Sequence, residues 1–185
     1  MILMVSSAWC QSPADSLNYY SWKVSQTADP DTIFAIDFTR ERLKSLPDEL
    51  QQYKNLRGLK LNKNKLEELP DYFKKFDQLT HLYLSKNELN HFPHQLFYLD
   101  QLEVLDISRN EVSSIPAGIK ALRNLRYLDI WDNRLTRIDP DFAELQQLAF
   151  IDFRGTTFSP SFVEKWVKAF PEATVEFDKP CKCLE

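Results

Sequence analysis

Three aspartates recur at a spacing of 23 residues: Asp106, Asp129 and Asp152. Carboxylates held side by side repel and raise one another's pKa, so such a row could receive a cationic group. The same spacing generates a basic row, Arg40, Lys63, Lys86 and Arg109, which changes sign at Asp132. It also sets Trp131 in a column with Thr39, Asn62, Ser85 and Ser108, and Tyr127 beside Phe150. Tryptophan, tyrosine and arginine are the usual anchors of protein interfaces. Catalytic signatures are missing: no nucleophile elbow, phosphate loop, HExxH or EF-hand word occurs. Gly58, Gly118 and Gly155 are too scattered to cradle a phosphate. His91 and His94 flank Phe92-Pro93 on a turn, and two imidazoles alone rarely make a metal site. Cys10, Cys181 and Cys183 lie at the two ends, which gives no disulfide framework and no spaced zinc site. The expectation is a non-enzymatic protein with no catalytic residues, no metal and no cofactor.

The 185 residues suit one domain. A compact chain of this size buries roughly two thirds of its unfolded surface, so no staple is needed. A composition of 43% hydrophobic and 27% charged residues is that of an ordinary globular protein. The formal charge of −4 argues against a nucleic-acid partner. No apolar run is long enough to span a bilayer. Residues 1–10, MILMVSSAWC, read as the back half of a secretory signal peptide, with Ala8 and Cys10 at the small-residue positions and the basic front part missing. A plain terminus is the other reading.

Aligned at the 23-residue period, the chain forms six lines beginning at Ile33, Leu56, Leu79, Leu102, Leu125 and Leu148. Position 4 is Ile36, Leu59, Leu82, Leu105, Leu128 and Ile151, and position 6 is Phe38, Leu61, Leu84, Ile107, Ile130 and Phe153. Position 9 is Asn64, Asn87, Asn110 and Asn133 in the inner lines. Position 14 is apolar in five lines, and Pro47, Pro70, Pro93 and Pro116 follow it, with the proline displaced one place to Pro140 in the fifth line. Such self-similarity is the mark of a repeat architecture. The spelling LxxLxLxxNxLxxLP resembles the leucine-rich repeat in its 23-residue form, over residues 33 to about 158. The resemblance implies an α/β fold: a right-handed solenoid with a parallel sheet on its concave face, short helices or turns on the convex face, and helical caps at both ends.

Physical chemistry accounts for the spelling. Positions 4 and 6 alternate as the inner face of a short strand. The chain turns sharply at position 9, where an asparagine can donate and accept for backbone groups left unpaired. Proline suits the start of a helical turn. Apolar residues three apart, such as Leu50 and Tyr53 or Phe73 and Phe76, then give one inward stripe. End coils need lids. Residues 11–32 are expected to form the first, with Leu17, Tyr20 and Val24 facing inward and Trp22 as a plug; residues 33–155 form the repeats. Residues 156–185 form the second lid and tail, with Val163, Trp166, Val167 and Phe170 as the buried stripe of a helix begun at Ser159 or Ser161, and ATVEF as an edge strand.

Positions 2, 3, 5, 7 and 8 are expected to face the concave side. There Trp131, Tyr127, Phe150, Arg126 and Tyr83 would form an aromatic patch, rimmed by Asp106, Asp129, Asp152, Lys63, Lys86 and Arg109. Lateral packing is the competing reading for the aromatics. Local hydrogen bonds and Arg109, Arg126 or Arg154 are the competing partners of the aspartates, and aspartate is habitual at this position of the family. Phe97, Tyr98 and Tyr72 offer a rival convex patch. The resemblance implies a scaffold binding a protein or peptide on the concave strands; a carbohydrate or cell-surface ligand is the alternative. The apolar start and the PCKC ending resemble secreted leucine-rich repeat proteins of Bacteroidetes-type bacteria, which implies a secreted, periplasmic or surface location, with a cytoplasmic one as the alternative. A monomer is expected, though Cys181 and Cys183 could link two chains in an oxidising compartment.

Overall fold

The computed structural model describes residues 16–178. The expected signal remnant and all three cysteines lie outside those residues.

Each repeat contributes one three-residue strand. In chain order the strands are β1 (Tyr20–Ser21), β2 (Ala35–Asp37), β3 (Gly58–Lys60), β4 (His81–Tyr83), β5 (Val104–Asp106), β6 (Ser114–Ile115), β7 (Tyr127–Asp129), β8 (Arg137–Ile138), β9 (Phe150–Asp152) and β10 (Thr174–Glu176). Eight of them form one parallel sheet in the order β1-β2-β3-β4-β5-β7-β9-β10, while β6 and β8 pair separately. The register joins like position to like position: Ile36 opposite Leu59, Leu59 opposite Leu82, and so on to Ile151. All six side chains at position 4 are fully buried, and those at position 6 are buried to within 1%. Five-residue 3-10 turns return the chain on the opposite side, at Asp48–Gln52, Asp71–Lys75, His94–Tyr98, Ala117–Ala121 and Pro140–Glu144. In the first four the proline stands just before the turn. In the fifth, Pro140 opens the turn itself, and Asp139 Oδ1 caps it by accepting from Asp141 N at 3.0 Å.

The asparagines tie one coil to the next. Asn110 Nδ2 donates to Ile107 O of its own coil at 2.9 Å and to Leu84 O of the coil before at 3.1 Å, while its Oδ1 accepts from Leu89 N at 3.1 Å. Asn64, Asn87 and Asn133 repeat the same three contacts with their own neighbours. All four are buried. In the last coil Thr156 takes the place of asparagine and donates to Asn133 O at 3.0 Å.

The lids differ in detail from expectation. At the front, α1 (Trp22–Ser25) is a single turn of helix. Trp22 packs against Phe38 and Tyr53, with ring centroids 5.0 and 5.7 Å away. Tyr20 and Val24, expected inside, are exposed. The segment before α1 runs extended into β1, so it cannot show a helical stripe. Leu17 and Tyr19 instead lie over Gly58, where a Cβ would sit 2.5–2.8 Å from their atoms. At the back, α2 (Pro160–Ala169) is capped by Ser159, whose Oγ accepts from Phe162 N at 3.3 Å. Its stripe runs through Phe162, Trp166 and Phe170 at intervals of one turn; Trp166 and Phe170 meet Phe142 at 5.4 and 5.1 Å. Val167, expected in that stripe, is exposed, and Val163 is half-buried. Phe162 displaces them because it stacks on Phe158 at 4.2 Å.

Removing Asn110 as Asn110→Ala strands Leu89 N–H and two carbonyls. It should cost about 2–4 kcal/mol of unfolding free energy, read by urea denaturation. A cost under about 0.5 kcal/mol would mean that water replaces the side chain and the ladder is dispensable.

Candidate interaction surface

The face of the sheet turned away from the core carries positions 3 and 5. Like positions in parallel strands stand ~4.8 Å apart, close enough for large side chains to cover one another. They do so here. Tyr83 (6% exposed), Val104 (2%) and Tyr127 (9%) form a second apolar cluster, flanked by Tyr19 and Phe150. Tyr127 stacks on Phe150 with centroids 4.7 Å apart and planes 12° apart. Lys60 Nζ lies 3.6 Å from the Tyr19 ring centroid. The expected open patch is therefore divided. Tyr83 and Tyr127 are covered by lateral packing, Phe150 is half-buried, and Arg126 is exposed.

Trp131 stands at position 7, half-buried. The Arg109 guanidinium lies 5.2 Å from its ring centroid. Its backbone N–H donates to Asp129 Oδ1 at 3.0 Å. That bond recurs along the sheet: Asp37, Asp106 and Asp152 each accept from the N–H two residues on. The aspartate column thus has a local structural use. Asp106 takes a second bond from Ser108 Oγ at 2.6 Å, and Asp152, only 3% exposed, is forked by Arg154. Arg109 pairs instead with Asp132, at 3.7 Å.

Asp129 is the member with least relief. Burial, then its neighbour Asp106 and more weakly Asp152, push its pKa up to about 7, against the opposing Trp131 N–H and the Arg154 charge. Asp106 is also raised, by burial, with hydrogen bonds from Ser108 and Ser85 opposing the rise.

Position 8 forms the rim beside this face. Arg40, Lys63, Lys86, Arg109 and Asp132 all have left-handed backbone, with φ between 55° and 68°. Gly155 continues the column at φ 79°, where a Cβ would meet the Asp132 backbone at 2.6 Å. Each position-8 N–H continues the ladder by donating to the position-7 carbonyl of the next coil, as Lys63 to Ser85 O at 2.8 Å and Lys86 to Ser108 O at 3.0 Å. Alongside runs a groove of about 560 Å³ lined by Lys86, Arg109 and Asp132, by the asparagine turns, and on its far side by Glu88, Glu111 and Arg134. The sequence signalled neither Tyr19 on the strand face nor that far wall. The lone Gly58 in a column of larger residues was the one hint that something presses on β3.

Elsewhere, the rival convex patch shrinks to Tyr98. Tyr72 is buried with its hydroxyl donating to Pro47 O at 2.8 Å, and Phe97 is stacked on Phe92. His91 and His94 are exposed beside a second groove. Among the described residues no group of three or more His, Cys, Asp or Glu is placed to hold a metal ion. No helix among them is long and apolar enough to cross a membrane.

The leucine-rich repeat family model matches residues 35–89 and 77–135, together more than half of the chain. The chain belongs to the leucine-rich repeat family. Domains of this family generally mediate protein–protein interaction and are typically non-enzymatic scaffolds. The plant peptide hormone receptor RGFR1, solved in complex with RGF2, is 26% identical with a TM-score of 0.59, over 73% of this chain and 22% of that one. The ectodomain of the membrane receptor kinase GASSHO1/SCHENGEN3 from Arabidopsis thaliana, in complex with CASPARIAN STRIP INTEGRITY FACTOR 2, is also 26% identical, with a TM-score of 0.60 over 68% and 16%. The functional domain of InlJ from Listeria monocytogenes shares the fold at 20% identity and a TM-score of 0.62, over 77% and 29%. The chain thus spans less than a third of the length of each of these three. No curated protein matches the sequence.

Ionising Asp129 carries a penalty in the folded state. Because folding raises its pKa to about 7, that penalty is absent below the unfolded value near ~4, grows between ~4 and ~7, and is complete above. Asp129→Asn keeps the acceptor for Trp131 N–H and removes the charge. It should raise Tm by about 2–4 °C at about pH 8 and leave it unchanged at about pH 4. An equal effect at both pH values would show that the carboxyl is not the titrating group.

Proposed function

We propose that this protein is a non-enzymatic interaction module that binds a protein or peptide on its strand face, at the rim centred on Trp131. The observation that carries the reading is the placement of Trp131. Its column is otherwise small and polar up to Ser108, and its ring lies on the surface against Arg109. A half-covered tryptophan braced by arginine has the composition of an interface hot spot. Arg126 is exposed one coil before the half-buried Phe150, whose N–H donates to the Arg126 carbonyl at 3.1 Å. The aspartates Asp106, Asp129 and Asp152 act here from below, holding the turns that present positions 7 and 8. The two plant receptors similar to this chain were each solved in complex with a second factor, which supports a protein or peptide partner over a glycan. The apolar residues 1–10 support a location outside the cytoplasm.

Affinity capture with the intact protein, followed by mass spectrometry, supplies the partner. Trp131→Ala should then weaken binding by about 1–4 kcal/mol with an unchanged circular dichroism spectrum. Unchanged affinity would remove Trp131 from the site, and retention of glycans alone would replace the protein reading.

A further inference from the structure

The rim of the first four coils concentrates positive charge on a chain whose net charge is −4. Arg40, Arg42, Lys63, Lys65, Lys86 and Arg109 are all exposed there. Arg109 has its ion pair with Asp132. The others have no carboxylate within 4.0 Å among the described residues. The position-8 members cannot spread apart at the backbone, since their N–H groups are in the inter-coil ladder and successive coils are ~4.8 Å apart.

Two costs attend this row. Arg40, Arg42, Lys63, Lys86 and Arg109 adopt φ of 56–68°, a region in which glycine or asparagine is less strained. Like charges are also crowded: the Lys86 pKa is pushed down, chiefly by Arg109, then by slight desolvation, Lys63 and Arg40. Glycine fills the same column at Gly155, so the fold accepts an uncharged solution. Strain of this kind persists where the surroundings enforce it and is a pointer to function.

We propose that this basic rim is the docking track for an extended acidic peptide segment of the partner. It would cross the coils with its carboxylates on Arg40, Lys63 and Lys86 and leave at Trp131, where Asp132 reverses the sign. The inference rests on the strand-face reading above and adds the chemistry of the partner. Several features favour one extended chain over a folded acidic surface. The row is itself linear, one cation per coil at a spacing of ~4.8 Å, and a groove of about 560 Å³ continues it from Lys86 to Asp132. Its asparagine floor already spends its donors on the coils. Two residues beyond position 8, the exposed side chains are Arg42 and Lys65 in the first two coils but Glu88 and Glu111 in the third and fourth. The acidic stretch is therefore densest over the first two coils and ends at Lys86 in the third, and the residue reaching Trp131 is neutral or basic. Charge complementarity of this type speeds encounter and sets direction.

The test is fluorescence anisotropy of a labelled octaglutamate peptide on the intact protein. Binding is expected at about 50 mM salt and should weaken at least about tenfold at about 300 mM. The Lys63→Glu/Lys86→Glu pair should raise Kd by at least about tenfold with an unchanged circular dichroism spectrum. If that pair unfolds the chain, Lys63→Gln/Lys86→Gln, which removes charge without reversing it, carries the same expectation at about threefold or more. No octaglutamate binding at low salt, or binding that both pairs leave unchanged, overturns the proposal. Tighter binding of a heparin-derived octasaccharide, lost in the same variants, overturns it in favour of a sulfated glycan. If octaglutamate fails while Trp131-dependent capture persists, the acidic track falls and the strand-face reading stands.

Discussion

One side chain per coil carries the architecture. Each buried asparagine at position 9 serves two coils at once, donating to a carbonyl of its own coil and to one of the coil before it and accepting an N–H from that preceding coil. No coil can satisfy these groups alone, and each buried group left unpaired costs about 1–3 kcal/mol. The turn can therefore be sharp and buried only if coils stack in a single register, shifted by the length of one repeat. From that register follow the columns of leucine inside, the parallel pairing of β2 to β9, and the lids at Trp22 and Trp166 that close the last open faces. This is why stability in such chains is shared between neighbours and does not reside in any one repeat.

Stacking like on like has opposite consequences for different side chains. Aromatic rings gain from it: Tyr127 and Phe150 lie nearly parallel, an arrangement worth about 0.5–1.5 kcal/mol beyond the area it buries. Charges lose by it. Asp129 is caught between Asp106 and Asp152, and Lys86 between Lys63 and Arg109. The acidic column offsets its cost by local bonds, because each carboxylate holds the N–H that leads into the left-handed position. In the basic column only Arg109 has a local ion pair among the described residues; Arg40, Lys63 and Lys86 have none there. A cost with a structural return needs no partner to explain it, whereas a cost without one points outward.

The core was legible because it obeys a one-dimensional rule. Positions 4, 6, 9 and 14 repeat so strictly that Leu105, Ile107, Asn110 and Ile115 could be placed inside before any coordinates. The C-terminal helix and its serine cap were legible for the same local reason. The surface was not, because exposure depends on what lies alongside. Tyr83 and Tyr127 look open in a single strand and are covered only when Val104 and Phe150 arrive from the next coils. Val167 and Phe162 are both apolar and both near the stripe; Phe158, outside the helix, decides which of them turns in.

What the sequence by itself determined is the repeat: its period, its buried columns and the family, since these need only the spacing of residue types along one chain. What the tertiary structure alone decided is the character of the outer face. The N-terminal residues Leu17 and Tyr19 fold back onto β3, the aromatics pair sideways, and the basic residues at position 8 are held in left-handed backbone, where among the described residues Arg109 alone of them has a carboxylate within 4.0 Å. These outcomes depend on contacts between different coils, and on an extended segment outside the repeats, whose geometry no spacing rule encodes.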